Sequence, residues 1–95
     1  MEPELSARCA QLRVEAMGLQ LSSAFRFCTT AENALIFGRV QNAREAIAKA
    51  RRAADRVRLH LDEPNHVPAD AVASIADQLA DLETVISRWE GRLLP

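Results

Sequence analysis

Two stretches of the chain repeat apolar residues at alternating steps of three and four, and this repeat constrains the fold most strongly. The first stretch runs without interruption through Val40, Ala43, Ile47, Ala50, Ala54, Val57 and Leu61. The second runs through Val72, Ile75, Leu79, Leu82, Ile86, Trp89 and Leu93. This spacing places the apolar residues on one face of a helix. Two matched stripes joined by a short link predict an antiparallel helical hairpin.

The residues of the two stripes complement each other in size. With the turn placed near residues 64–65, Ala54 lies opposite Ile75, and Ala50 lies opposite Leu79. A small residue facing a large one allows the two helices to interdigitate closely. We therefore expect the second and third helices to pack along this seam.

Charged residues flank both stripes and support the same antiparallel pairing. The register predicts that Arg51 lies near Glu83 and that Arg44 lies near Glu90. Exposed ion pairs are worth roughly 0–1 kcal/mol each, so they select the orientation of the helices more than they stabilise the fold.

The first part of the chain, residues 4–37, is longer and less regular. One apolar stripe occupies its N-terminal half, and a second stripe, rotated from the first, consists of Met17, Leu21, Ala24, Cys28, Ala31 and Leu35. The change of stripe falls near Gly18, where glycine and two serines weaken a helix. We favour one long helix with a bend there over two separate helices. The residues after it, 37–39, form the first turn, with Gly38 suited to a left-handed helix end.

These patterns together predict an all-α fold in one domain, residues 1–95. It is a three-helix bundle with a long N-terminal helix and an antiparallel heptad-patterned hairpin. The helices are expected at about 4–37, 40–62 and 68–92. Alanine supplies much of the apolar content and only four residues are aromatic, so each helix buries little area. A core this thin favours additional burial in an oligomer, and we expect the bundle to dimerise.

The N-terminal end of the long helix is expected to overhang the hairpin and to leave its apolar stripe uncovered. A second subunit is the simplest cover for such a stripe. Phe25 joins this surface because it points roughly 200° away from Phe27, so the two rings cannot both face one core. Otherwise we expect the phenylalanines, Phe37 included, to fill the core. The predicted partner interface is Leu5, Cys9, Leu12, Ala16, Leu19 and Phe25.

Composition narrows the classes of function. The net charge of −1 gives no global field toward nucleic acid or anionic membrane. Cys9 and Cys28 would lie about 28 Å apart on one helix, so they are interpreted as buried small hydrophobes in a reducing compartment. The N-terminal residues lack the bases and the apolar run of a signal peptide, and no apolar run is long enough to span a bilayer. We expect a cytoplasmic protein.

Residues 60–66, "HLDEPNH", contain both histidines of the chain. A metal site needs three or four converging ligands, and His60 and His66 are separated by Pro64 with no cysteine close in sequence. A turn explains the stretch better, because histidine suits a helix C-terminus and proline ends the helix. A metal, catalytic or phosphorelay role for these histidines is the less favoured alternative. We expect no catalytic residue, no cofactor and no metal.

The second helix is basic and the last third of the chain is acidic. Residues 39–58 carry a net charge of +5, and residues 62–95 carry −5. The favoured interpretation is that the two helices pair and are otherwise solvated. The alternative is a basic helix that binds phosphates through the outward-facing Lys49, Arg52 and Arg56.

Residues 27–50 resemble one tetratricopeptide-type helical hairpin. The matching positions are Phe27, Ala31, Gly38, Ala43, Ile47 and Ala50. The resemblance implies a helical surface that binds proteins.

The predicted function is a small, non-catalytic helical interaction or scaffold protein that self-associates or binds a partner helix through its first helix. A nucleic-acid-associated protein that uses the basic second helix is the alternative. An enzyme or metal protein centred on the two histidines comes last, because no phosphate loop, nucleophile motif or pair of buried carboxylates is present.

Overall fold

The chain forms three α-helices in a computed structural model. The structure describes residues 3–62 and 68–93, with side chains from residue 8 onward. The helices are α1 (Pro3–Ile36), α2 (Val40–Asp62) and α3 (Ala69–Leu93), and no strand occurs within these ranges. The helices pack into a rod with extents of 55 × 17 × 16 Å. The predicted all-α three-helix bundle is confirmed, and each helix end lies within one residue of its predicted position.

Helix α1 is continuous through Gly18, so the alternative of two separate helices is wrong. Its 34 residues correspond to a length of about 51 Å. Glycine inside a helix costs about 1 kcal/mol relative to alanine. Met17 and Leu21, on either side of this region, are almost fully buried against the bundle. Tertiary packing therefore holds the helix together where its local propensity is weakest.

The turn between α1 and α2 is closed by Gly38, whose φ of 73° is left-handed. The amide of Gly38 donates to the carbonyl of Leu35 at 3.0 Å, and the amide of Arg39 donates to the carbonyl of Ala34 at 2.8 Å. This pair of hydrogen bonds is the Schellman arrangement, which satisfies carbonyl groups at a helix end. It reverses the chain within three residues and makes α2 antiparallel to α1.

Alanine and medium-sized aliphatic residues form the core. The buried residues of the main cluster are Met17, Leu21, Ala24, Cys28, Ala31, Ala34, Ala43, Ala46, Ile47, Ala50, Ala54, Val57, Ile75, Leu79, Leu82, Ile86 and Leu93. Both heptad stripes supply buried residues, as predicted, although Val40 is exposed. The most extensive helix contact is nevertheless between α1 and α2, not within the α2–α3 hairpin. The small residues on α1 and α2 explain this result, because they let the two backbones approach closely.

The ion pairs between α2 and α3 differ from the predicted ones. Arg51 pairs with Glu90 at 2.6 Å, and Arg58 pairs with Glu83. The hydrogen bond that Arg51 donates to Glu90 is the largest effect that raises the pKa of Arg51, and Glu83 adds a smaller Coulombic contribution. Glu83 and Glu90 lie one heptad apart, about 10.5 Å along the helix. Both observed pairs are displaced by one heptad in the same direction from the predicted ones, so the register of α2 against α3 differs from the one predicted.

The predicted pairing of Arg44 with Glu90 is also wrong. Arg44 instead donates from Nε to the backbone carbonyl of Leu93 at 2.8 Å. A cation there satisfies a carbonyl that the end of α3 leaves without a helical donor.

Two residues expected inside the core lie outside it. Phe37 is 77% exposed, because it stands at the α1–α2 turn beyond the buried cluster. Cys9 is exposed, because it lies on a face of α1 that no other helix covers, whereas Cys28 is buried as predicted.

A larger side chain at a buried alanine tests how closely the helices are packed in the core. Ala54 is fully buried, so Ala54→Leu should lower the free energy of unfolding by about 1–3 kcal/mol in urea denaturation. The matched control is Ala48→Leu on the exposed face of α2, which should change it by less than about 0.5 kcal/mol. Equal effects of the two variants would contradict close packing at Ala54.

Two glycine-to-alanine substitutions test the turn, one at the left-handed Gly38 and one at the helical Gly91. Gly38→Ala should destabilise the fold by about 1–2 kcal/mol, because the left-handed conformation is costly for residues with a Cβ. Gly91 lies inside α3 with open space around its Cα, so Gly91→Ala should stabilise the fold by about 0.5–1 kcal/mol. Thermal melts followed by circular dichroism measure both shifts, and a stabilised Gly38→Ala variant would count against the left-handed turn.

Candidate interaction site on helices α1 and α2

The predicted interface stripe on α1 is exposed to solvent. Leu12 is 57% exposed and Leu19 is 70% exposed. Cys9 and Ala16, which complete the described part of the stripe, are exposed as well. The side chain of Leu5 lies outside the described residues. We call Cys9, Leu12, Ala16 and Leu19 the α1 stripe.

Helix geometry explains the exposure of the α1 stripe. At about 100° per residue, Leu12 and Leu19 lie roughly 140–180° around α1 from the core-facing Met17 and Leu21. Residues on that side of the helix point away from the core that α1 shares with α2 and α3. A long, exposed apolar row of this kind marks a site of association more often than chance exposure does.

Phe25 does not belong to the α1 stripe. It is 38% exposed and follows Leu19 by six positions, so it lies about 120° away around the helix. Phe27 is partly buried and packs against the core cluster. The two rings therefore lie on different faces, as the sequence predicted, but the exposed ring is not continuous with Leu12 and Leu19.

A groove of about 400 Å³ runs between α1 and α2. One wall comes from α1 and the other from α2, and no described residue of α3 lines it. The residues that line it are Leu19, Gln20, Ser23, Phe27, Lys49, Arg52, Ala53 and Arg56. We call this feature the α1–α2 groove. Leu19 is shared by the α1 stripe and the α1–α2 groove, so the two surfaces are adjacent.

The α2 wall of the groove is strongly basic. Lys49, Arg52 and Arg56 follow one another at steps of three and four, so they form a row on one helix face. None of the three makes an ion pair within the described part of the chain. The Nζ of Lys49 lies 5.9 Å from the centre of the Phe27 ring, within range of a cation–π interaction. The groove lining contains no aspartate or glutamate among the described residues.

The α1 wall is uncharged. It consists of the apolar Leu19 and Phe27 and the polar Gln20 and Ser23. The side-chain oxygen of Gln20 is buried and accepts no hydrogen bond from the described residues. An unsatisfied buried acceptor costs about 1–3 kcal/mol, so a donor that reaches Gln20 would stabilise the structure.

A smaller depression of about 50 Å³ continues the line of the groove toward the C-terminus of α2. Arg13, Ala16, Met17 and His60 line it. His60 follows Arg56 by four positions and therefore extends the row on α2. Arg13 adds a cation from α1. The guanidinium of Arg13 therefore extends the positive charge beyond the end of the groove.

The exposed face of α3 carries the opposite charge. Asp70, Asp77 and Asp81 are exposed and take part in none of the ion pairs of the described chain. They recur at steps of seven and four, so they share one face of the helix. The rod therefore has a basic side on α2 and an acidic patch on the N-terminal half of α3, since Arg88 lies on the same face further along the helix.

The "HLDEPNH" stretch is only partly described. His60 lies in the last turn of α2, while His66 and the proposed turn lie outside the described residues. Among the residues that the structure covers, no group of three or more His, Cys, Asp and Glu side chains is close enough to hold a metal ion.

Sequence reasoning identified the two sets of residues but did not place them together. Leu19 was assigned to a partner interface, and Lys49, Arg52 and Arg56 to a separate alternative. Their meeting in one groove follows from the pairing of α1 with α2, which the periodicity of either helix does not specify. Phe27 and Gln20 were missed as groove residues for the same reason.

Comparison with protein-family models, with curated proteins and with solved structures finds no match. No helix in the described part of the chain is both long enough and apolar enough to cross a membrane.

The two cysteines provide a direct test of the exposed and buried faces of α1. Burial raises the pKa of the Cys28 thiol, so at a given pH less of it is the reactive thiolate. In the native protein, we expect Cys9 to react with iodoacetamide rapidly and Cys28 only slowly, as followed by mass spectrometry. Reaction of Cys28 should accelerate at higher pH and in denaturant. The Cys9→Ser variant isolates the slow site, and equally fast alkylation there would contradict the burial of Cys28.

Proposed function

We propose that this protein is a small, non-catalytic helical interaction module that forms a homodimer through the α1 stripe. The observation that carries the proposal is the exposure of Leu12 and Leu19, one heptad apart, on the longest helix of a bundle with a thin core. Burying apolar area stabilises association by about 25 cal/mol per Å² of surface removed from water. The resemblance to a tetratricopeptide-type hairpin is consistent with a protein-binding role and remains a resemblance.

The residues around Leu12 favour a second copy of the chain as the partner. Cys9 and Ala16 lie three positions before and four positions after Leu12, so the nearest stripe residues on its two sides are placed nearly symmetrically. Two antiparallel α1 helices crossing there would bring Leu12 against Leu12 of the second copy. The same arrangement brings Arg8 of each copy alongside Glu15 of the other. Such self-complementarity is what a two-fold symmetric interface requires.

Light scattering coupled to size-exclusion chromatography tests the dimer. The wild-type protein should elute with the mass of two chains, and Leu12→Asp should elute as a monomer, since two carboxylates would meet at the centre of the interface. Far-UV circular dichroism of the variant should remain helical, because Leu12 is not part of the core.

An equally exposed leucine outside the stripe provides the matched control. Leu59, on α2, is 61% exposed, and Leu59→Asp should leave the dimer mass unchanged. A wild-type protein that stays monomeric at about 100 μM, far above the Kd of a specific dimer, would refute self-association through the stripe.

A nucleic-acid-associated protein is the second candidate. It is favoured by the row of Lys49, Arg52 and Arg56 along one wall of the α1–α2 groove. It is opposed by the acidic face of α3 and by the net charge of −1, since nucleic-acid affinity depends largely on the neutralisation of phosphates by cations. Retention on immobilised heparin that falls steeply with salt, together with binding of a labelled single-stranded oligonucleotide, would support it.

A further inference from the structure

We propose that the α1–α2 groove is a docking site for an acidic amphipathic helix of another protein. This function goes beyond self-association, because its residues lie mainly C-terminal to the α1 stripe on α1 and on α2. It assigns one role to the basic row of α2 and to the apolar residues of α1 that face it.

The charge of the groove selects an acidic partner. Lys49, Arg52 and Arg56 project along about 10 Å of α2 without a carboxylate partner in the described chain. A helix with acidic residues at steps of three or four would place its carboxylates at the same intervals. Each carboxylate can then accept hydrogen bonds from a guanidinium or ammonium group, which are stronger than hydrogen bonds between neutral groups.

The asymmetry of the two walls selects an amphipathic partner. The α2 wall is basic, whereas the α1 wall presents Phe27 and also Leu19, which it shares with the α1 stripe. A helix lying in the groove would turn its acidic residues toward α2 and its apolar residues toward α1. Helices bind to grooves between two other helices in this way, with anchors at helical spacing. The partner would complete a four-helix arrangement on the side of the α1–α2 pair that no described residue of α3 lines.

A second copy of this chain fits the groove less well. Two α1–α2 grooves facing each other would bring like charges together, and like charges across an interface are unfavourable. The acidic face of α3 has the required charge, but its exposed residues between Asp70 and Asp81 include only alanine, serine and glutamine as uncharged side chains. It therefore lacks the large apolar anchors that would contact Leu19 and Phe27.

A polyanionic nucleic acid also fits less well. Stacking of bases needs an open aromatic face, and Phe27 is the only aromatic residue among those that line the groove. The ammonium of Lys49 already lies over that ring. The exposed Leu19 would meet a phosphate backbone without any favourable contact. We therefore place an acidic helix before a nucleic acid as the occupant.

Three synthetic peptides of about 20 residues provide the probes, a length sufficient to span the groove as a helix. All three carry the same leucine stripe at steps of three and four. The flanking positions are glutamate in the first, glutamine in the second and lysine in the third. Binding is followed by fluorescence anisotropy of the labelled peptides at about 50 mM and about 300 mM NaCl, which differ in electrostatic screening.

The acidic peptide should bind at least about tenfold more tightly than the glutamine peptide at low salt, and this advantage should shrink at high salt. The lysine peptide should not bind. Equal binding of the acidic and glutamine peptides, or absence of binding by the acidic peptide, would overturn the proposal.

Charge reversal of the groove gives the decisive comparison. The triple variant Lys49→Glu, Arg52→Glu, Arg56→Glu should lose the acidic peptide and acquire affinity for the lysine peptide. A matched control reverses three exposed arginines that do not line the groove and form no ion pair in the described chain, namely Arg26, Arg39 and Arg88. The control has the same net charge as the groove variant and should keep its preference for the acidic peptide.

If circular dichroism shows that charge reversal unfolds the helix, the milder variant Lys49→Gln, Arg52→Gln, Arg56→Gln replaces it in the binding test. It should reduce binding of the acidic peptide to the level of the glutamine peptide. Unchanged affinity in a folded triple variant would show that the acidic peptide binds elsewhere and would overturn the proposal.

Two further arms separate this inference from the other proposals. The variant Leu12→Asp, which should abolish the dimer, should still bind the acidic peptide, because Leu12 does not line the groove.

A labelled oligothymidine of similar length tests the nucleic-acid alternative. If it binds more tightly than the acidic peptide and is lost in the groove variant but not in the control, the groove is a nucleic-acid site and the acidic-helix proposal fails.

Discussion

The close packing of α1 against α2 through alanine is the constraint on which the rest of the structure depends. Ala24, Ala31, Ala43 and Ala50 are completely buried, and side chains this small let the two helices approach closely. The same residues bury little apolar area, so the core is thin for a chain of this length. Larger apolar residues on the other faces of α1, such as Leu19, do not point into this contact. They remain at the edges of the contact, where a partner can reach them.

The helices and the buried faces of α2 and α3 could be predicted from sequence because periodicity alone specifies them. Seven apolar positions at steps of three and four leave one face for the core, whatever the partner helix is. The ion pairs could not be predicted in the same way. Both observed pairs are shifted by one heptad from the predicted ones, and two registers that differ by one heptad present the same apolar pattern. The exposure of Phe37 was missed because its position relative to the turn at Gly38 outweighs its hydrophobicity.

The α1–α2 groove could not be predicted from the pattern of a single helix. Exposure of Leu12 and Leu19 followed from one helix considered alone, since their stripe is rotated from the core-facing one. The groove required two helices, because Leu19 and Phe27 come from α1 while Lys49, Arg52 and Arg56 come from α2. Its chemistry, a basic wall opposite an apolar wall, is a property of the pair. The sequence shows the apolar residues of α1 and the basic residues of α2. It does not show that α1 packs mainly against α2, because the matched heptad stripes favour the α2–α3 pair.

The opposite charges of the α2 and α3 faces also affect how the molecules behave in concentrated solution. The net charge is near zero, but the separated charges give the molecule an electric dipole. The dipole lies across the short axis of a rod that is about three times longer than it is wide. Neighbouring rods can lower their energy by aligning side by side with opposite faces in register, over a range set by the Debye length of about 10 Å at 0.1 M salt. The osmotic second virial coefficient should therefore be more negative at low ionic strength than the net charge alone implies. Added salt would make the protein more soluble, since screening weakens the lateral attraction before it affects the packed core.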